Sequence, residues 1–139
     1  NKQPDIFDAE ALSVIIKLLE QSQLSENLLC LALQWLQKAC IMHEMNRQNI
    51  MSSSLISVLK VYVKKDSSDK LIRDLTGVLR FLVLDDDIRV EFGHAHEHAR
   101  QIASELIVDL TKLLAGMNWK TILYACLYFL LNYNFFRLY

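Results

Sequence analysis

The residues best able to do chemistry crowd into positions 84–99, Leu-Asp-Asp-Asp-Ile-Arg-Val-Glu-Phe-Gly-His-Ala-His-Glu-His-Ala. On a helix through this stretch, His94 and His98 share a face and His96 points elsewhere. Two imidazoles at that spacing hold a metal ion when another element supplies further ligands. Glu91, Glu97, Cys40 and His43 are the available donors, and no ligand motif joins them. Metal binding on His94 and His98 is therefore an alternative, and the principal reading assigns no metal and no cofactor. A second reading makes the three histidines a partner-binding surface, pH-sensitive because free imidazole titrates near pH 6.5. In a third they hydrogen-bond neighbouring backbone on a polar helix. Asp85, Asp86 and Asp87 are expected to end one helix and cap the next, since the glycine and distal glutamate of a calcium loop are absent. Ser52, Ser53 and Ser54 form a turn, and Cys40 with His43 lacks an orienting third group, so no nucleophilic centre is expected. The chain reads as a non-enzyme with no small-molecule substrate.

The elements that position these groups are helices, because apolar residues recur with helical period almost throughout. A first helix follows Asp8 as N-cap and buries Ile15, Ile16, Leu18 and Leu19. A longer one begins near Ser25 and carries Leu29, Leu33, Trp35, Leu36 and Ala39. A short amphipathic piece spans 45–51, and Ser52, Ser53 and Ser54 close it. The phrase then returns: Leu55, Val58, Leu59, Tyr62 and Val63, a turn at 65–68, then Leu71, Ile72, Leu75, Val78, Leu79 and Leu82. Positions 87–92 stand where the short helix stood. Superposing Leu36 on Leu79 gives a period of about 43 residues, within the range of helical solenoid repeats. A third unit opens at Leu106 and continues through Leu123, Leu127 and Leu130. The second connection is longer than the period requires, and the excess falls at 94–104, a histidine-rich insert. The expected units are 1–54, 55–105 and 106–139 within one domain. Such helices bury their apolar faces only by stacking on their neighbours. The expected fold is an all-α solenoid, a right-handed superhelix with the long helices on its concave side.

Composition narrows the function classes. Net charge is −1, which removes any bulk electrostatic case for nucleic acid or an anionic membrane. The basic run Lys60, Lys64, Lys65, Lys70 and Arg73 is interleaved with Asp66 and Asp69 and reads as a solvated helix end and turn. Cys30, Cys40 and Cys126 are odd in number and lack metal-ligand spacing, which points to reduced thiols and a cytoplasmic or nuclear setting. The apolar run 122–131 falls short of the roughly 20 residues of a membrane span. It fits a buried helix better, with a sticky tail at 122–139. No signal peptide is visible, and the start without methionine suggests a fragment.

The phrase Ala32-Leu33-x-x-Leu36, then Asn46-Arg47-x-x-Ile50, then the apolar restart at Leu55, resembles the armadillo-repeat family. Two strings, 42–49 and 84–99, resemble one particular branch of it. The resemblance covers roughly 34–115, and it implies a three-helix repeat and an intracellular protein-binding scaffold. Armadillo proteins that grip extended peptides carry an asparagine on the third helix, with a tryptophan one turn earlier. Here Lys38, Phe81 and Phe129 stand at the asparagine position, and Gln34, Gly77 and Ala125 at the tryptophan position. Importin-like recognition of basic peptides is therefore not expected, and Trp35, one position off, belongs to the core. A partner protein is expected instead on Gln34, Lys38, Asp74 and Arg80 of the concave helices and on His94, His96 and His98. The aromatic tail departs from the polar outer face of a terminal repeat. That departure raises a further alternative, a shortened product without independent activity.

Overall fold

The structure, a computed structural model, describes residues 9–21 and 24–116. Among these residues every regular element is helical. They are α1 (Ala9–Leu19), α2 (Glu26–Cys40), α3 (Glu44–Met51), α4 (Leu55–Lys60), α5 (Asp69–Leu82) and α6 (Ala95–Gly116). The expected cap Asp8, Cys126 and the aromatic tail lie outside the described residues.

Serine sets the start of both long helices. Ser25 Oγ accepts from the Leu28 amide at the head of α2, and Ser68 Oγ accepts from the Leu71 amide at 3.2 Å at the head of α5. Each hydroxyl satisfies one amide that the first turn leaves without a helical partner. From those starts, helical spacing turns Leu29, Leu33 and Leu36 of α2 and Leu75, Val78 and Leu79 of α5 into one buried seam. Burying each such side chain contributes about 1.5–3 kcal/mol. Helix α2 lies along α5, α4 lies against α6, and α3 meets α1, α2, α4 and α5. Trp35 packs against the core as expected.

The repeat is written into the long-range hydrogen bonds. Tyr62 Oη donates to Leu19 O, Lys70 Nζ donates to Asn27 Oδ1, and the Glu44 amide donates to Asp87 Oδ2. Each pair is separated by 43 residues. Equivalent positions in successive units thus touch directly.

One expectation fails in the second connection. Residues 87–92 do not form the counterpart of α3; they form a turn followed by irregular chain. The Asp87 carboxylate accepts from the Arg89 amide two residues on at 3.1 Å, a local bond that competes with helix formation. The β-branched Ile88 and Val90 add no helical preference. The histidine-rich stretch is helical from Ala95 onward. It opens α6, which runs unbroken across positions 105 and 106.

Candidate functional site

Two outward stripes of α2 and α5 form one face. Asn27, Leu31, Gln34 and Lys38 follow one another at helical spacing on α2, and Lys70, Arg73, Gly77 and Arg80 do so on α5. Lys70 Nζ reaches Asn27 Oδ1 at 3.3 Å, and Gln34 Nε2 donates to Asp74 Oδ2 at 2.9 Å, so the stripes lie side by side. Gln37 Nε2 donates to Asp74 O at 2.8 Å. Gly77 leaves room for that amide, because a Cβ there would lie 2.5 Å from Gln37 Nε2. The structure therefore joins Gln34 to Asp74 directly. Lys38 sits one turn beyond Gln34 and is exposed, and the Arg80 guanidinium carbon lies 5.4 Å from the Phe81 ring centroid. Asp74 is largely buried, while Leu31 keeps 62% of its surface exposed.

The polar residues of highest burial lie at the corner between α3 and the turn that follows α5. Arg47, with 0% exposure, donates through Nε to Glu44 Oε2 at 3.0 Å and through Nη1 to Cys40 O at 3.0 Å and to Asp86 Oδ1 at 2.5 Å. Asp87 accepts from the Glu44 amide at 2.9 Å and from Arg89 Nε at 2.8 Å, while Arg89 Nη2 also donates to Met42 O. The Asp86 and Asp87 carboxylates thus turn back toward the start of α3. Asp87 reaches back to the first amide of α3, whose own N-cap is His43 Nδ1. Met42, just before that cap, has φ 49°.

Burial raises the Glu44 carboxyl, but the His94 amide, the Gln48 amide group and the Arg47 guanidinium outweigh it and hold the group low. The Arg89 guanidinium holds the Asp87 carboxyl far below the usual carboxylate range, against burial and with help from the Glu44 and Arg89 amides. Burial pushes the Cys40 thiol up to about 12 and raises Cys30 as well, so both stay neutral thiols.

The histidines divide by role. His94 donates its backbone amide to Glu44 Oε1 at 2.9 Å, and its Nδ1 lies 2.8 Å from Gln48 Nε2. His98 is buried with Nδ1 2.9 Å from Leu82 O. A carbonyl only accepts, so that nitrogen carries the proton. The two rings stack with centroids 6.2 Å apart, while His96 is exposed on another side of α6. Among the described residues, no group of three or more His, Cys, Asp or Glu side chains is placed to hold a metal ion. No helix among them is long and apolar enough to cross a membrane.

Sequence reasoning missed the burial of Arg47, Glu44 and Asn46. The available signal was the Glu44–Arg47 spacing, which puts opposite charges on one face of a short helix.

Both sides of this corner lie in the strings 42–49 and 84–99. Comparison with known proteins finds that the ARMC6 family model matches residues 1–128. This chain belongs to the ARMC6 family. Among ARMC6 proteins, the armadillo repeat-containing protein 6 homolog of Drosophila melanogaster is 62% identical over 114 residues, covering 82% of this chain and 24% of that protein. Armadillo repeat-containing protein 6 of Homo sapiens is 33% identical over 116 residues, 79% of this chain and 23% of that protein. The chain thus spans about a quarter of the length of these ARMC6 relatives. No solved structure matches it.

Proposed function

We propose that this chain is a non-enzymatic protein-interaction module, built as an armadillo-type α-solenoid with a right-handed superhelix. Its units follow the division 1–54, 55–105 and 106–139, and α6, unbroken across position 105, supports moving the last joint back to the turn 84–94. The observation that carries the reading is the paired face of α2 and α5. Two long helices one repeat apart present Leu31, Gln34, Lys38 and Arg73 outward from a rigid buried seam. Exposed apolar and charged side chains on a preorganised surface suit recognition of another protein.

Lys38 and Arg80 are assigned to direct contact, and Gln34 with Asp74 to holding the face in shape. His94 and His96 form a second contact area, with His98 fixing its position from beneath. No cofactor, nucleic acid or small-molecule substrate is assigned. The buried, free Cys30 and Cys40 support a reducing compartment, cytoplasmic or nuclear.

The test is affinity capture with mass spectrometry. It compares the natural chain with a Gln34→Ala/Lys38→Glu variant and a His94→Asn/His96→Asn variant of equal helicity and melting. Loss of a specific partner in the first variant supports the face, and loss in the second alone moves binding to the histidine surface. A partner retained by both variants overturns the reading.

A further inference from the structure

Resting on that reading of the α2–α5 face, we infer that its partner is an acidic peptide segment with spaced apolar residues, held by its side chains and not by its main chain. The first observation concerns the amides. A groove that grips a peptide backbone needs side-chain amides free to pair with the peptide's own N–H and C=O groups. Here the Gln34 amide donates to Asp74 Oδ2 at 2.9 Å and the Gln37 amide to Asp74 O at 2.8 Å. These bonds tie α2 to α5 within the protein. The Gln34 bond also occupies the carboxylate of Asp74, a residue only 9% exposed.

The second observation is the charge left on the surface. Lys38, Lys70 and Arg73 line the face and are exposed, whereas its exposed carboxylates, Glu26 and Asp69, sit together at the N-terminal ends of the two helices. Glu26 is engaged there with Ser68 Oγ at 2.6 Å. The ion pairs of Arg47 with Glu44 and Asp86, of Lys60 with Asp109 and of Arg89 with Asp87 lie elsewhere. Lys38 and Arg73 are exposed, and neither makes an ion pair with a described carboxylate. Leu31, on the same α2 stripe as Lys38, adds an exposed apolar side chain.

Charge complementarity thus selects a partner rich in Asp and Glu with an apolar residue to cover Leu31. Recognition through side chains gives two signatures that main-chain recognition lacks. Affinity falls steeply with salt, because solvent-exposed charges are screened within about 8 Å at physiological ionic strength. Reversal of the peptide's sequence order is tolerated, since no fixed backbone register is read.

Fluorescence anisotropy on the whole chain tests this with short fluorescein-labelled peptides: Glu/Leu-rich, its reversed-order form, Ser/Leu-rich and Lys/Leu-rich. The Glu/Leu peptide is expected to bind, and the reversed form to bind within about threefold of it. Lys38→Glu/Arg73→Glu, at exposed positions and checked by circular dichroism, is expected to lower that affinity by about tenfold or more. Raising salt from about 50 to about 300 mM is expected to do the same. Binding of the Ser/Leu or Lys/Leu peptide in preference, lost in Leu31→Ser, overturns the acidic assignment and leaves the face itself standing. Acidic-peptide affinity unchanged by the double charge reversal, or no binding of the Glu/Leu peptide, also overturns it; the capture experiment then judges the face separately.

Discussion

Successive units of this chain are joined twice, and the two joints rely on different physics. Along the α2–α5 seam, Leu33, Leu36, Leu75 and Leu79 meet in a dry apolar contact whose strength follows the area removed from water. At the corner between α3 and the turn 84–94, fully buried Arg47 and nearly buried Glu44 meet Asp86 and Asp87 through charged hydrogen bonds. An apolar seam accepts sliding and repacking at modest cost. A buried ionic corner accepts one arrangement, because a misplaced partner leaves an uncompensated charge. The seam thus supplies most of the cohesion, and the corner fixes how one unit sits on the next.

That contrast is broken most severely at the corner. Arg47→Ala leaves Glu44 and Asp86 facing each other without the guanidinium, and chemical denaturation is expected to show a loss of about 4 kcal/mol. A loss below about 1 kcal/mol would mean that the corner contributes little. Next comes the seam: Leu36→Ala, at a fully buried position, is expected to cost about 3 kcal/mol by the same assay. Leu36→Met should stay within about 1.5 kcal/mol, as a near-volume-conserving change does.

A smaller effect separates the joints by pH. Asp87 and Glu44 both have folded-state pKa values below the ordinary ones, so the unfolded chain takes up protons first. Their stabilisation is fully present above about pH 5, and it is lost as pH falls through the ordinary carboxylate range near 4 toward the lower folded values. Asp87→Asn is expected to lower stability at pH 7 by about 1–2 kcal/mol, and to flatten the decline between about pH 5 and pH 3. A variant with an unchanged acid slope would remove Asp87 from the corner's energetics. The smallest effect belongs to the turn's outer surface. Ile88 and Phe92 are 88% and 78% exposed, so Ile88→Ser and Phe92→Ser should each change the melting free energy by less than about 0.5 kcal/mol.

The same contrast marks what the sequence makes legible. The apolar seam is local information: helical spacing, the serine caps and the recurrence of Leu36 at Leu79 can be read along one line of residues. The corner is not local, because the bonds that join α3 to the turn link residues separated by 39 to 50 positions. No spacing rule tells Asp87 to reach back to Glu44. Positions 87–92 were expected to be helical because they fall in register with 45–51, and the register gives no weight to an aspartate bonding its own turn. His98 illustrates the same difficulty. Its burial follows from the Leu82 carbonyl at the end of α5, one of the terminal carbonyls that a helix leaves without an internal donor. The face residues Gln34, Lys38, Asp74 and Arg80 could be picked out by repeat register. Their division into those that hold the face and those that project from it needed coordinates.

The central claim is that the α2–α5 face carries the partner. Lysine-reactive footprinting of the chain, alone and with its captured partner, tests it most directly, because the lysines sample both this face and its surroundings. Lys38 and Lys70 lie on the face, while Lys60, paired with Asp109, and Lys112 lie on α4 and α6. The account predicts that the partner slows labelling of Lys38 and Lys70 and leaves Lys60 and Lys112 unchanged. Protection of Lys60 and Lys112, with Lys38 and Lys70 still labelled at the free rate, would contradict it.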